Sequence, residues 1–125
     1  MSKNDLVVKS NQVIEASYTL TTIEQRLILS AIAQIPKGEP VTDEVIYTVL
    51  VTDLQKFGAN ETTAYRDLKE SVSRLFDRSI VLRSSDRTSR VRWVQKIDFM
   101  DSRGVVGLRF SKDILPFLSN LSTEF

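Results

Sequence analysis

The apolar pattern of this chain changes period once, at Asp77, and that change restricts the fold more than any other feature. Before it, Tyr65, Leu68, Val72, Leu75 and Phe76 recur at helical spacing and form one stripe, with Arg66, Lys69, Glu70 and Ser73 on the opposite face. After it, SIVLR at 79–83 and RVRWVQKIDFM at 90–100 alternate with a period of two. In the longer run Val91, Trp93, Ile97 and Phe99 share one face. Arg90, Arg92, Lys96 and Asp98 share the other, as when one side of an antiparallel sheet is wet. The polar stretch SSDRTS at 84–89 joins the two runs. DSRG at 101–104 is a tight turn into a third strand, VVGLRF at 105–110, with Val106, Leu108 and Phe110 inward.

Upstream, residues 6–16 fit a strand or a short helix, and the spacing leans to a short helix starting near Ser10 or Asn11. Thr21 and Glu24 stand at capping-box spacing, and Thr22 with Gln25 repeats it one residue later; Ile23, Leu27, Ile28, Ala31, Ile32 and Ile35 form a helical core stripe that Pro36 and Gly38 end. VIYTVLV at 45–51 reads as a strand. Thr52 is placed to cap a next helix, with Asp53 in its first turn, Leu54 and Phe57 inward and Gly58 as the stop. Asn60 or Thr62 starts the striped helix. Ser111 caps a last short helix that contains Pro116. A helix-turn-helix followed by an antiparallel ribbon is an α+β layout, that of a winged helix.

Composition narrows the chemistry. The 125 residues suit one domain and include no Cys and no His. Disulfides, Cys/His zinc sites and Cys or His nucleophilic dyads are therefore excluded. The carboxylates form no closely spaced pair and the four glycines are not clustered, so no catalytic residue, metal ligand or cofactor is expected. The N-terminal stretch lacks the apolar run of a signal peptide, and no segment is long and apolar enough to span a membrane, so a cytoplasmic protein is expected. Net charge is only +1, yet residues 78–96 hold six basic side chains against Asp86, a local excess of +5. Such a segment on a mildly acidic body implies a local anionic partner.

Two readings of these residues stand side by side. Arg66, Lys69 and Ser73 sit where a recognition helix meets the major groove, but Glu70 among them repels phosphate, and an ordinary core-packing helix has the same pattern. Arg83, Arg87, Arg90 and Arg92 are placed for phosphate contact, or else are solvated charges that guard strand edges. Trp93, in an alternating apolar row, is expected in the core rather than stacked on a base. An unpaired strand edge offers a route to a homodimer, with Val81, Arg92, Val94 and Lys96 as candidate contacts.

Four stretches in chain order resemble the iteron-binding family of plasmid replication initiator proteins. They are SNQVIEASY with a following EQR, AYRDLKESVSRLFDRSI, the strand RWVQ, and LRFSKDILPFLSNL. The resemblance covers nearly the whole chain. It implies an N-terminal winged-helix domain over residues 1–125, with the family's second winged-helix domain outside this chain. It also implies double-stranded DNA at origin repeats as a partner, with the second domain making most of the specific contact. The first domain dimerises and adds a secondary DNA contact, dimers repress the initiator's own promoter, and host replication proteins are further partners. The alternatives are a protein-interaction domain that never meets DNA and a stand-alone winged-helix regulator. An enzyme is the remotest reading.

Overall fold

A computed structural model describes residues 3–55 and 63–118. Helix α1 spans Lys3–Ser17 and so begins well before the start expected near Ser10 or Asn11. Ser10 and Asn11 do not cap it, because the helix is held by packing further along: Val13 is fully buried and Ile14 and Ala16 lie against the core. Helix α2 spans Thr22–Ile32 and begins with the expected capping box. The Thr21 hydroxyl accepts the Glu24 amide at 3.2 Å, and the Glu24 carboxylate accepts the Thr21 amide at 3.3 Å. The helix stops at Ala33, whose N–H reaches the Leu29 carbonyl, before Pro36 is met.

Strand β1 is shorter than its β-branched run, Tyr47–Leu50, and Val51 already opens helix α3, Val51–Gln55. Asp53, not Thr52, serves this start: its carboxylate accepts the Leu50 amide at 3.2 Å. The readings for Phe57, Gly58, Asn60 and Thr62, and for the Leu54 side chain, lie outside the described residues. Helix α4, Ala64–Asp77, carries the expected stripe, with Leu68, Val72 and Leu75 fully buried and Tyr65 and Phe76 partly so.

Strands β2, Ser79–Arg83, and β3, Thr88–Arg92, pair antiparallel as a separate two-stranded ribbon. Strands β4, Val94–Met100, and β5, Val105–Phe110, join β1 in an antiparallel sheet of order β1-β5-β4. The single strand expected over 90–100 is thus broken at Trp93. Arg92 pairs with Ser79 in one sheet, while Val94 pairs with Phe110 in the other. Trp93 itself is 1 % exposed, and its carbonyl accepts the Ser111 amide at 3.1 Å. A register shift between Val94 and Lys96 then restores the alternation. Phe99 keeps the expected face but remains exposed at the outer strand.

The break relocates the stripe of α4. That stripe lies mainly against α2, β4 and β5, while the arginine ribbon rests on α1 and on the short turn Lys112–Ile114 and meets the stripe only at its end, where Arg92 lies on Phe76. Gly107 lies within the central strand β5, where a Cβ would meet the Ile46 side chain at 2.8 Å. Helices α2, α3 and α4 with the hairpin β4–β5 make the winged helix, and the Asp101–Arg103 turn closed by Gly104 (φ +62°) is the tip of the wing.

Candidate nucleic-acid interface

The outward residues of α4 divide into two groups. Arg66 and Glu70 are exposed and Ser73 is half-buried. Lys69 is engaged within the chain. Its ammonium lies 3.0 Å from Asp101 Oδ1 at the wing tip, and the Tyr65 hydroxyl donates to the same oxygen at 2.7 Å. Lys69 Nζ also sits 5.4 Å and 5.3 Å from the ring centres of Tyr65 and Phe99. Two donors on one carboxylate fix the wing tip to the first half of α4. The hydrogen bonds from Tyr65 and Lys69 hold the Asp101 carboxyl below its ordinary range. Desolvation and the neighbouring carboxylate push the Tyr65 phenol up to about 12, so both groups keep their bonded forms at neutral pH. The charge of Lys69 is therefore largely answered inside the molecule.

Alternation along the ribbon sorts its arginines. Ile80 and Leu82 point to the core, and their cross-strand partners Val91 and Ser89 lie on the same face. Arg83 and Arg90, with Val81 opposite Arg90, fall on the outer face, and both arginines are exposed. Among the described residues neither forms an ion pair. Arg92 shares that face, but its guanidinium donates to the Phe76 carbonyl at 3.1 Å and lies 5.0 Å from the Phe76 ring centre. It thereby satisfies a free carbonyl at the negative end of α4 and ties the ribbon to that helix. Arg87 departs from the group, standing at the turn closed by the Ser84 amide on its carbonyl at 2.8 Å and facing the opposite side. The outer edge of β2 is closed by Gln12, whose amide accepts from the Arg83 N–H at 2.8 Å and donates to the Arg83 carbonyl at 3.3 Å.

Arg78, part of the basic excess in the sequence, is withdrawn from it. Its guanidinium grips the fully buried Glu24 carboxylate with two bonds of 3.0 Å, and this bonding raises its pKa further. The four candidate dimer contacts are not brought together. Val81 and Arg92 lie on the ribbon and Lys96 on the wet side of β4, whereas Val94 is fully buried beside Phe110. Val94 is thus corrected from a surface contact to a core residue, because the break at Trp93 turns it inward. Sequence reasoning passed over Arg103, exposed on the wing tip; its place in the polar turn DSRG was the available signal. Among the described residues no group of acidic side chains is arranged to hold a metal ion, and no helix is long and apolar enough to cross a membrane.

The comparisons with known proteins agree with this geometry. No curated protein matches the chain. Among solved structures, it is similar to the WH1 domain of MSBI1.176, a replication protein isolated from a multiple sclerosis patient. Identity there is 32 %, with 97 % of each chain covered and a TM-score of 0.82. It shares the fold of the Pi initiator protein solved in complex with iteron DNA, at 24 % identity and a TM-score of 0.73. That match covers 89 % of this chain and 48 % of the Pi chain, so the chain spans about half the length of that protein. The winged helix, the wing latched to α4 and a family match over residues 6–125 lead to one assignment: the chain belongs to the initiator replication protein WH1 family.

Proposed function

We propose that this domain is a DNA-binding and self-associating module of a plasmid replication initiator, acting in the cytoplasm on duplex DNA at origin repeats. The observation that carries the reading is the outer face of the ribbon, where Arg83 and Arg90 stand exposed without an ion pair among the described residues. Unpaired guanidinium groups on a two-stranded ribbon suit phosphate, which positions a protein on DNA without reading its sequence. Arg66, Ser73 and Arg103 extend the contact, and Arg92 contributes mainly by fixing the ribbon to α4. Glu70 on the exposed face of α4 and the engaged Lys69 make that helix a weak reader of bases. Specific reading of the repeats then falls to a second winged-helix domain of a longer initiator, consistent with this chain spanning 48 % of the Pi protein. Repression of the initiator's own promoter follows if the self-associated form binds there.

Substituting alanine for Arg83 or Arg90 is expected to weaken binding alike on every duplex sequence. Each should lower the slope of log affinity against log salt by about one. Anisotropy titrations at several salt concentrations read both quantities. Unchanged slopes in both variants would remove the ribbon from the interface. A domain that self-associates but binds no duplex would leave the interaction-module reading in its place.

Self-association is assigned to a strand edge. On the outer strand β1, Gln34 already donates to the Thr48 carbonyl at 2.6 Å and Asp53 accepts the Leu50 amide, so charge selects between the edges of β3 and β4. Pairing through β3 about a two-fold axis sets Arg90 against Arg90 of its copy, which is unfavourable. Strand β4, the outer strand of its sheet, carries Lys96 and Asp98 on either side of Ile97. Pairing about Ile97 sets each Lys96 opposite the Asp98 of the other copy. Sedimentation at about 100 μM should therefore show a dimer. Lys96→Glu, which places acid against acid, should return it to monomer. A dimer indifferent to that reversal would exclude the β4 edge.

A further inference from the structure

Away from the outer face of the ribbon, its other face, α1 and the Lys112–Ile114 turn enclose a groove of about 390 Å³. That volume lies in the range of ordinary ligand clefts. Its floor is apolar: Leu82, Val91 and Phe117, with Leu6 at the lip. Leu6 is 45 % exposed at that lip. The rim is cationic: Lys9, Arg87 and Lys112 stand around the floor against one acid, Asp113. Among the described residues none of these three cations forms an ion pair.

We propose that this groove docks an acidic amphipathic peptide segment of a partner protein, its apolar side chains on Leu82, Val91 and Phe117 and its carboxylates on Lys9, Arg87 and Lys112. The combination of an oily floor and a positive rim selects this occupant. Duplex DNA presents charge but no apolar face to bury, and a neutral apolar helix would leave the three cations unanswered. The site is separate from the outer face assigned to phosphate, since Arg87 faces away from Arg83 and Arg90. It therefore stands or falls independently of the DNA contact.

The test uses the whole chain and a labelled helical peptide of about 15 residues, with Leu at helical spacing and Glu elsewhere. Backbone amide shifts locate the site and anisotropy gives the affinity. Saturable binding with shifts at Leu6, Leu82 and Val91 is expected. Lys9→Glu with Lys112→Glu, both at accessible positions, should weaken it about tenfold, while duplex binding through Arg83 and Arg90 persists. No binding at about 1 mM would overturn the proposal. So would equal binding of the same peptide with Lys in place of Glu, or shifts that map elsewhere. Groove shifts produced by duplex DNA or by raising the protein's own concentration would assign it to those occupants instead.

Discussion

Replacing Arg78 with alanine is expected to cost about 3–5 kcal/mol of folding free energy, the range for stranding a buried charge. Glu24 is fully buried, and both of its carboxylate oxygens accept from the Arg78 guanidinium at 3.0 Å. The same carboxylate closes the capping box on Thr21. Without Arg78 it stays in the core without the guanidinium that answers its charge. Urea unfolding measures the loss directly, and the thermal midpoint should fall by about 10–20 °C. Part of Arg78 reaches solvent, its side chain being 34 % exposed, so removing Glu24 instead strands a charge that water can still reach. Glu24→Gln should accordingly cost less than Arg78→Ala. Adding Glu24→Gln to Arg78→Ala should recover part of the loss, because no charge is then left buried. A cost below about 1 kcal/mol for Arg78→Ala would class the pair with ordinary surface bridges and refute its role as the bolt between α2 and the start of the ribbon.

That bolt also marks where sequence reasoning ends. Thr21 and Glu24 are three residues apart, so the capping box is written in local spacing and was legible. The partnership of Glu24 with Arg78 spans 54 residues and has no local signature. The same distinction separates the stripe of α4, visible as a period, from the capture of Lys69 by Asp101, which depends on the wing folding back on the helix. Helix α1 was hard to delimit because Leu6, Val7 and Val8 read equally as strand and remain exposed, giving no amphipathic signal. The basic segment was visible as composition, but its use was not. Alternation assigns Arg83, Arg90 and Arg92 to one face, while the engagement of Arg92 with Phe76 and of Arg78 with Glu24 arises only from the tertiary fold.

The break at Trp93 was illegible for a different reason: the register shift after Val94 preserves the alternation on both sides, so the two strands read as one. Its consequence is the second large expected effect. Trp93→Ala should destabilise the domain by about 3–5 kcal/mol, the range for emptying a large aromatic site in a packed core. The side chain is 1 % exposed and belongs to the same core as Val94, Phe110 and the stripe of α4. Trp93 is also the only residue between β3 and β4, so its packing sets how the ribbon leaves the three-stranded sheet. Loss of the indole should therefore act unevenly. Amide exchange in β2 and β3 should accelerate more than in β5, and Trp93→Phe should restore most of that protection. As the sole tryptophan, Trp93 should emit at shorter wavelength in the native state than in urea, which reports its burial before any substitution is made. A loss under about 1 kcal/mol, or exchange that accelerates equally in every strand, would mean that the ribbon is held by α1, the Lys112–Ile114 turn and the Arg92 contact with Phe76. Arg83 and Arg90 would then owe their positions to those contacts and not to the joint at Trp93.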